Sequence, residues 1–402
     1  MIKKLLLVVA AVSLLVPVAG CAPSGSTEEE TIKIGCLLDT TGGLGSMGTR
    51  ILNGARLAVD EINAAGGVLG KQVELVEEDG KTEADAGFDR IKKMVEIDGV
   101  KVIAGPMITG ASLLAIPYAK EQQVPLISPS ATGIPLSEVE IDGVKVIKDG
   151  TEWFFRTCLR DDAQGFVLAD IIVDKGYTKL ATIVLNNTYG KGLEEAIVGR
   201  LQAVGWQGEH VASVHYDEGT KEYRGELQGI KDSGPDVVFC CSYCDDGIII
   251  FKQALDIGLD DIAWMGCDGN YGSGLFAEPK SAEFMEKTFV AATRTVGSGS
   301  VNEHFNAAYE EKFGEAPEVY CDTMYDAVWA AANAVEAAGA YDGDAIRVAL
   351  TGLNFDGATG QIAFNEIGDR TAGSFEIWHV VKDDTTETGY KNAAIKIVDW
   401  SM

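Results

Sequence analysis

Three hydroxyl side chains follow two neighbouring predicted strands and could together bind an anion. Thr109 lies where a strand passes into a helix, within residues 105–112, and Ser130 and Thr132 follow the next strand. Free backbone N–H groups and the positive end of the dipole at a helix N-terminus favour a carboxylate. A single threonine at such a position is usually a helix cap. Three donors at one sheet edge, however, favour a binding site.

A glycine-rich turn separates the first predicted strand from the first predicted helix. Residues 43–48, Gly-Leu-Gly-Ser-Met-Gly, match the GxGxxG pattern of dinucleotide-binding proteins. Glu77, Glu78 and Asp79 end the next strand, where a ribose-binding acid would lie. An exported NAD-dependent enzyme is therefore one alternative. We favour a mobile turn at the edge of a cleft, because the turn is oversized and the chain begins like an exported protein.

The cysteines and histidines do not have the spacing of a metal centre. Seven cysteines follow Cys21, and an odd number cannot pair completely within one chain. Cys240 and Cys241 belong to a CCxxC pattern, but adjacent residues of a strand point to opposite faces. The same rule places His210 and His215 on opposite faces of their strand. We therefore expect small buried thiols, no metal and no cofactor.

From residue 31 the pattern alternates apolar strands with helical periodicity, which predicts an α/β fold. The first unit is a strand at 32–38 followed by a helix that ends at Gly66 and Gly67. A second series begins after an interruption at 133–155. Further strands are predicted at 72–77, 100–105, 124–128, 180–185, 210–216, 236–241, 262–266, 361–364, 374–381 and 393–399. Further helices are predicted at 83–97, 110–122, 190–204, 222–232, 246–257, 302–312, 323–338 and 343–352. Two such lobes predict a cleft at the carboxyl ends of their parallel strands.

The chain begins with a segment typical of a signal peptide. Two lysines precede an apolar stretch at 5–18 that is too short for a comfortable membrane span. Residues 18–21, Val-Ala-Gly-Cys, resemble a lipobox, which predicts removal of residues 1–20 and lipid attachment at Cys21. Residues 21–30 would then form a flexible polar tether. An ordinary signal peptide with an incidental cysteine is the alternative.

Composition and charge exclude several classes of protein. The chain has 402 residues, of which 46% are hydrophobic and 23% charged, as in a globular protein of two or three domains. Its net charge of −28 repels phosphate backbones and anionic lipid headgroups. We therefore expect no nucleic-acid partner and membrane contact only through the lipid anchor. The HExxH, GxSxG and complete Walker A motifs are missing, so we expect no enzyme.

Several segments, in this order and spacing, resemble the type I solute-binding proteins of ABC importers, in the leucine/isoleucine/valine-binding branch. They are Ile32–Gly35, Gly54–Ala58, Ile62–Val68, Gly105-Pro106, Ser128–Thr132, Arg156-Thr157 and Tyr189–Gly192. The resemblance covers essentially the whole mature chain. It implies two Rossmann-like lobes with parallel central sheets joined by a three-strand hinge. We expect lobe 1 at 31–156 plus 292–356 and lobe 2 at 157–291 plus 357–402.

The resemblance also implies a site for an amino acid between the lobes. The ligand α-carboxylate would bind Thr109, Ser130 and Thr132 with their backbone amides, and the ammonium would meet Asp268. Without the resemblance, Asp268 would be interpreted first as a solvated acid in a turn. A buried zwitterion needs both charges matched, which places the acid and the hydroxyls on opposite lobes. Binding would then hold the lobes closed.

The resemblance assigns the remaining walls of the site to four side chains. Tyr189 and Tyr243 would close over the amino acid, and Met47 and Tyr320 would contact its side chain. We therefore expect a monomeric extracytoplasmic lipoprotein that captures a branched-chain or other hydrophobic amino acid and delivers it to an ABC permease. A sensor of the same fold, signalling to a membrane receptor, is the second hypothesis.

Overall fold

The computed structural model describes residues 31–141 and 144–402. The predicted signal peptide, the predicted lipid-attachment residue Cys21 and the predicted tether lie outside these residues. In the described part the strands are β1 Ile32–Leu38, β2 Val73–Asp79, β3 Ile103–Ala104, β4 Leu126–Ser128, β5 Glu138–Ile141, β6 Val144–Ile147, β7 Phe154–Arg156, β8 Lys179–Leu185, β9 Glu209–Tyr216, β10 Val237–Cys241, β11 Ala263–Met265, β12 Phe289–Val296, β13 Asn354–Gly357, β14 Gly360–Ala363, β15 Ala372–Lys382 and β16 Tyr390–Ser401. The α-helices are α1 Gly45–Ala64, α2 Ala84–Glu96, α3 Thr109–Gln122, α4 Asp161–Lys175, α5 Thr188–Ala203, α6 Arg224–Ser233, α7 Cys244–Asp256, α8 Pro279–Thr288, α9 Ser300–Phe313, α10 Cys321–Ala338 and α11 Gly343–Thr351. None of these helices combines the length and the hydropathy that crossing a bilayer requires.

The first sheet is parallel throughout and has the strand order β2-β1-β3-β4-β7. A parallel sheet covered by helices on both faces favours continuous apolar strands. In β1 every residue except Lys33 is buried. The carboxyl ends of β1, β3 and β4 lie at one edge, so the loops that follow Leu38, Ala104 and Ser128 are neighbours there.

The second sheet is mixed and has the order β16-β15-β12-β11-β10-β8-β9. The strands from β8 to β12 are parallel to one another. Strand β15 pairs antiparallel with β12, and β16 pairs antiparallel with β15. The predicted parallel sheets are therefore confirmed, with two antiparallel strands added at one edge of the second. The sequence indicated these C-terminal strands but not their direction.

The chain crosses between the two sheets three times. It leaves β7 for α4, which packs on α5 over the second sheet. After β12 it enters α9 and α10, which pack against α1 over the first sheet, and after α11 it returns to β15. A Cβ on Gly54 of α1 would lie 2.2 Å from the Cys321 carbonyl oxygen, so glycine permits the close approach of α1 and α10. The lobe limits at 156, 291 and 356 stay predictions, and β12 continues the second sheet to Val296.

Most predicted elements are present, but the helices α4 and α8 and the strands β5, β6, β7, β12 and β13 were not predicted. Helix α4 buries residues around much of its circumference, among them Ala163, Gln164, Leu168 and Ile171. A helix with such a distribution has little amphipathic periodicity to detect. The omission matters because α4 begins at the first crossing and carries side chains that reach the candidate site.

Candidate ligand-binding site

The amino end of α3 and the loop after β4 form one wall of a cavity. The side-chain oxygen of Thr109, the first residue of α3, accepts a hydrogen bond from the Gly133 N–H at 3.3 Å. The Ser130 hydroxyl donates to the Met107 carbonyl at 2.9 Å. Ser128 ties the two loops together by donating to the Pro106 carbonyl at 2.6 Å. Because the first N–H groups of a helix have no partner within it, this wall suits an anion.

The cavity encloses about 30 Å³ and is lined from both lobes. The first lobe contributes Leu44, Met47, Met107, Ile108, Thr109, Ser130 and Tyr320, and the second contributes Tyr189, Tyr243, Asp268 and Gly269. None of these lining residues is basic. The charge of the wall therefore comes from one acid, and an anion would rely on hydroxyls and backbone amides.

Asp268 faces the cavity from a 3₁₀ turn that follows β11. Its Oδ1 accepts from the Tyr189 hydroxyl at 2.9 Å and from the Gln164 amide at 2.8 Å. Its Oδ2 accepts from the hydroxyl of Tyr320, which belongs to the other lobe. All three donors are uncharged, so the carboxylate is held in place without being neutralised.

Two stacked tyrosines cover the second lobe's side of the cavity. The rings of Tyr189 and Tyr243 lie 6.1 Å apart between centroids and are inclined by 5°. Asn187 caps α5 by accepting from the Gly190 N–H at 2.9 Å, and this cap fixes the first turn that carries Tyr189. Burial and the charge of Asp268 raise the pKa of Tyr189 well above its usual value. The phenol therefore stays protonated and remains a donor at neutral pH.

Tyr320 connects the lobes through an unusual backbone conformation. It precedes α10 with a φ of 68°, a left-handed backbone conformation that residues other than glycine rarely adopt. Burial and the charge of Asp268 raise the pKa of its phenol, so it also remains a donor. Its hydroxyl reaches Asp268, in addition to lining the space predicted for a ligand side chain.

Seven of the eight predicted ligand-binding residues line this one cavity, and Thr132 does not. The seven are Met47, Thr109, Ser130, Tyr189, Tyr243, Asp268 and Tyr320. Thr132 is buried outside the lining, where its carbonyl accepts from the Asp161 N–H at 3.0 Å. Sequence reasoning missed Leu44, Met107, Ile108, Gly269 and the supporting Gln164. Leu44 and Met107 belong to the segments 43–48 and 105–112 that the sequence analysis singled out, and this membership was the available signal. Gln164 belongs to a helix that was not predicted.

A buried ion network lies at the first crossing. Asp369 accepts from the Arg156 Nε at 2.6 Å and from Arg160 at 2.7 Å. Burial by itself raises the pKa of Asp369, but the two arginine charges outweigh it and hold the pKa below its usual value. Asp161, also fully buried, makes no carboxylate hydrogen bond within the described residues. Burial and the charge of Asp268 raise the pKa of Asp161 well above its usual value.

Arg50 and Glu318 form an interlobe latch with Ser273. Arg50 on α1 pairs with Glu318, which precedes α10 in the same lobe, and donates to the Ser273 hydroxyl of the other lobe at 2.7 Å. The Ser273 N–H donates to Glu318 at 2.9 Å. Two hydrogen bonds therefore cross the cleft at this point, outside the cavity.

The glycine-rich turn lies at the cavity edge, with Leu44 and Met47 in the lining. Asp79, one of the three acids considered for ribose binding, instead accepts from the Thr40 N–H at 3.0 Å and from the Thr41 hydroxyl at 2.6 Å. Its carboxylate therefore holds the loop together. A Cβ at Gly48 would lie 2.0 Å from the Asp39 carbonyl oxygen, which explains the last glycine of the pattern by packing alone.

The histidine prediction was wrong in its geometry. A register shift in β9 pairs Leu180 with His210 and Ala181 with Ala212, leaving an extra residue between them. The shift brings His210 and His215 to the same face, where their Nε2 atoms lie 3.7 Å and 2.6 Å from the Glu194 carboxylate. Within the described residues no group of three or more His, Cys, Asp or Glu side chains is arranged to hold a metal ion. The seven cysteines there are buried and unpaired, and the burial of Cys240 and Cys241 agrees with the prediction.

Two α/β lobes, three crossings and a cavity walled from both sides define a two-lobed solute-binding protein of the type I periplasmic class. Residues 31–384 match the family described as periplasmic binding protein, and the chain belongs to this family.

Named relatives extend the comparison to the binding of amino acids. The Leu/Ile/Val-binding protein homolog 3 of Brucella melitensis biotype 1 is 29% identical over 86% of this chain and 90% of its own length. A Pseudomonas aeruginosa protein named for binding leucine, isoleucine, valine, threonine and alanine is 27% identical over 92% of this chain and 94% of its own.

Solved structures of similar proteins contain two kinds of ligand. The isoleucine complex of the branched-chain amino acid transporter substrate-binding protein LivJ from Streptococcus pneumoniae superposes with a TM-score of 0.77, at 28% identity, over 92% of this chain and all of the other. An ABC-transporter solute-binding protein from Rhodopseudomonas palustris BisB5, in complex with 3,4-dihydroxybenzoic acid, has a TM-score of 0.76 at 25% identity, over 92% and 97% of the chains. The family thus establishes a solute-binding protein of a transporter and an extracytoplasmic location, and leaves the ligand to be argued from the site.

Proposed function

We propose that this protein captures an aliphatic α-amino acid between its lobes. The ligand carboxylate would lie at the amino end of α3, against Thr109 and Ser130. The ammonium would meet Asp268, and the aliphatic side chain would pack among Met47, Met107 and the tyrosine rings. The amino-acid-binding relatives are consistent with this assignment.

The observation that carries the proposal is that the two lobes favour ligand groups of opposite charge at one cavity. A helix N-terminus with two hydroxyls favours a negative group on the first lobe. A buried acid with only neutral donors favours a positive group on the second lobe. A free amino acid carries both groups on one carbon and can therefore bridge the lobes.

Calorimetric titration of the purified protein with the standard amino acids tests the proposal. We expect one-to-one binding of one or more of leucine, isoleucine and valine, and in Asp268→Asn a loss of about 2–5 kcal/mol, because the ammonium would face no opposite charge. The matched control is Asp246→Asn. Asp246 is also a buried acid of the second lobe, bonded to the Tyr223 hydroxyl at 3.0 Å and outside the cavity lining. Unchanged affinity in the Asp268 variant would remove the acid from the site.

A second candidate ligand is an aromatic hydroxy acid. The stacked pair Tyr189 and Tyr243 offers a flat wall, and a phenol of the ligand could donate to Asp268. The same titration with 4-hydroxybenzoate separates the candidates. The amide of Asp268→Asn still accepts from a phenol but no longer neutralises an ammonium, so amino-acid binding would fall far more than binding of the hydroxy acid.

We also propose that the captured amino acid is delivered to an ABC permease by a monomer anchored through Cys21. Lipid attachment there would keep the protein at the outer face of the membrane that contains the permease. Mass spectrometry of the purified membrane form would show a lipid-modified Cys21, and Cys21→Ser would release the chain. An unmodified N-terminus after export would refute the anchor. Growth on a limiting amino acid, measured with and without the gene, separates transport from sensing.

A further inference from the structure

Gln164 holds Asp268 from inside the second lobe without lining the cavity. Its Nε2 donates to Asp268 Oδ1 at 2.8 Å, and its Oε1 accepts from the Asp268 N–H at 3.2 Å and from the Thr293 hydroxyl at 2.7 Å. Gln164 is buried, and these contacts join α4, the turn that carries Asp268 and strand β12. Gln164 therefore connects Asp268 to α4 and to β12.

The partners fix which end of the Gln164 amide faces the acid. A backbone N–H can only donate, so the atom opposite the Asp268 N–H must be the amide oxygen. The NH₂ group then faces the carboxylate, which can only accept when ionised. Glutamate has nearly the same shape as glutamine, but at this position it would lose the donor and place a second negative charge against Asp268.

We propose that Gln164 is a positioning residue: by fixing the Asp268 carboxylate, it makes the site selective for ligands that carry a cation on the α-carbon. The inference rests on the proposed amino-acid function. Tyr189 shares Oδ1 with Gln164, and Tyr320 occupies Oδ2, so the carboxylate is held from three directions. Without Gln164 one hydrogen bond remains on each oxygen, but the carboxylate loses its connection to α4 and β12, so its charge is fixed less firmly toward an ammonium. A neutral hydroxyl gains less from that charge and loses less when the carboxylate turns.

The test compares L-leucine with (S)-2-hydroxy-4-methylpentanoate, which replaces the ammonium by a hydroxyl and keeps the carboxylate and side chain. Gln164→Leu should weaken leucine binding by about 10- to 100-fold, the range for a lost hydrogen bond to a charged group. It should weaken binding of the hydroxy acid by less than about threefold, the value for a neutral bond affected only indirectly. Gln164→Glu should weaken leucine binding at least as much as Gln164→Leu.

Gln253→Leu is the matched control. Gln253 is a buried glutamine of the same lobe, with its Oε1 accepting from the Tyr223 N–H at 2.7 Å and its Nε2 donating to the Lys221 carbonyl at 3.1 Å. It should lower the melting temperature without changing the ratio of the two affinities.

The outcomes distinguish a failure of the positioning role of Gln164 from a failure of the proposed amino-acid binding. Equal losses for both ligands in Gln164→Leu, or unchanged leucine binding, would overturn the positioning role. Failure of the wild-type protein to bind any aliphatic amino acid would instead overturn the proposed function. A melting temperature measured for each variant shows whether a lost affinity reflects an unfolded chain.

Discussion

Replacing Arg50 by methionine should weaken ligand binding although Arg50 does not line the cavity. The substitution keeps the apolar stem of the side chain and removes the guanidinium that bonds to the Ser273 hydroxyl of the opposite lobe at 2.7 Å. Glu318 would still accept from the Ser273 N–H at 2.9 Å, so one of the two hydrogen bonds across the latch remains. The variant therefore removes one closure contact and leaves the cavity walls intact.

The size of the effect follows from exposure and charge. A hydrogen bond to a charged group contributes about 1.5–3 kcal/mol, and partial exposure favours the lower end. The Arg50 side chain is 24% exposed, so we take about 1.5 kcal/mol, or roughly tenfold in affinity. This amount transfers to the ligand because binding and closure are coupled: a contact made only in the closed form strengthens every ligand that requires closure.

The assay is calorimetry for Kd together with stopped-flow fluorescence for the dissociation rate. We expect Arg50→Met to raise Kd about 5- to 20-fold, chiefly through faster dissociation. Ser273→Ala should give a smaller loss, and the double variant should lose less than the sum of the two. The matched control is Arg56→Met on the same helix, because Arg56 pairs bidentately with Glu77 inside the first lobe. Equal Kd values for wild type and Arg50→Met, or equal losses in both arginine variants, would refute the latch.

Three further variants test the buried interior. Asp369→Asn should lower the free energy of unfolding by about 3–5 kcal/mol at pH 7, because the fully buried Arg156 loses the carboxylate it pairs with, whereas Arg160 keeps Glu138 and Asp162. The two arginine charges hold the pKa of Asp369 low against the effect of burial, so its contribution is present above the ordinary aspartate pKa and is lost as the pH falls through the lowered pKa. Asp161→Asn should raise the free energy of unfolding at neutral and high pH. Burial and the charge of a neighbouring carboxylate raise the pKa of Asp161, so its stabilising effect is complete at low pH and is lost as the pH rises. Urea unfolding at about pH 2 and pH 7 checks Asp369, and urea unfolding at about pH 4 and pH 8 checks Asp161. A loss of stability in Asp161→Asn at pH 8 would contradict the assignment. Gly48→Ala places a methyl group 2.0 Å from the Asp39 carbonyl and should cost about 1–3 kcal/mol, measured by thermal unfolding; an unchanged Tm would show that the turn moves aside.

Features that depend on neighbouring residues in the chain could be predicted from the sequence, whereas features that depend on contacts between distant residues could not. The alternation of strands and helices is local, and it gave the two lobes and the cleft between them. The loops that follow strands in a parallel sheet lie at one edge, which predicted that Thr109 and Ser130 would be neighbours. Thr132 departs from the expectation because its carbonyl caps the start of α4, a helix with no amphipathic pattern. A single-sequence pattern could not show this, since α4 is buried on most sides.

The binding residue of the second lobe, Asp268, was predictable only through resemblance. Nothing near Asp268 in the chain distinguishes it from an acid in an exposed turn, because its partners Gln164 and Tyr320 are 104 and 52 residues away. The histidine error has a similar cause. The extra residue in β9 changes which face His215 occupies, and a rule based on strict alternation cannot anticipate a bulge.

The charge of the cavity constrains the ligand more strongly than its shape does. Its lining contributes one carboxyl group and no basic side chain, so an ionised Asp268 has no cationic partner in the lining before a ligand enters. A zwitterion leaves that charge unchanged and cancels it locally, with its ammonium against Asp268 and its carboxylate at the amino end of α3. A simple monoanion would add a second negative charge to a small enclosed volume, where water screens little. The site could accommodate a monoanion only if the ligand presented a hydrogen-bond donor to Asp268, or if Asp268 were protonated. The ligand's donor at the acid end, rather than its aliphatic or aromatic character, is therefore the feature on which selectivity depends.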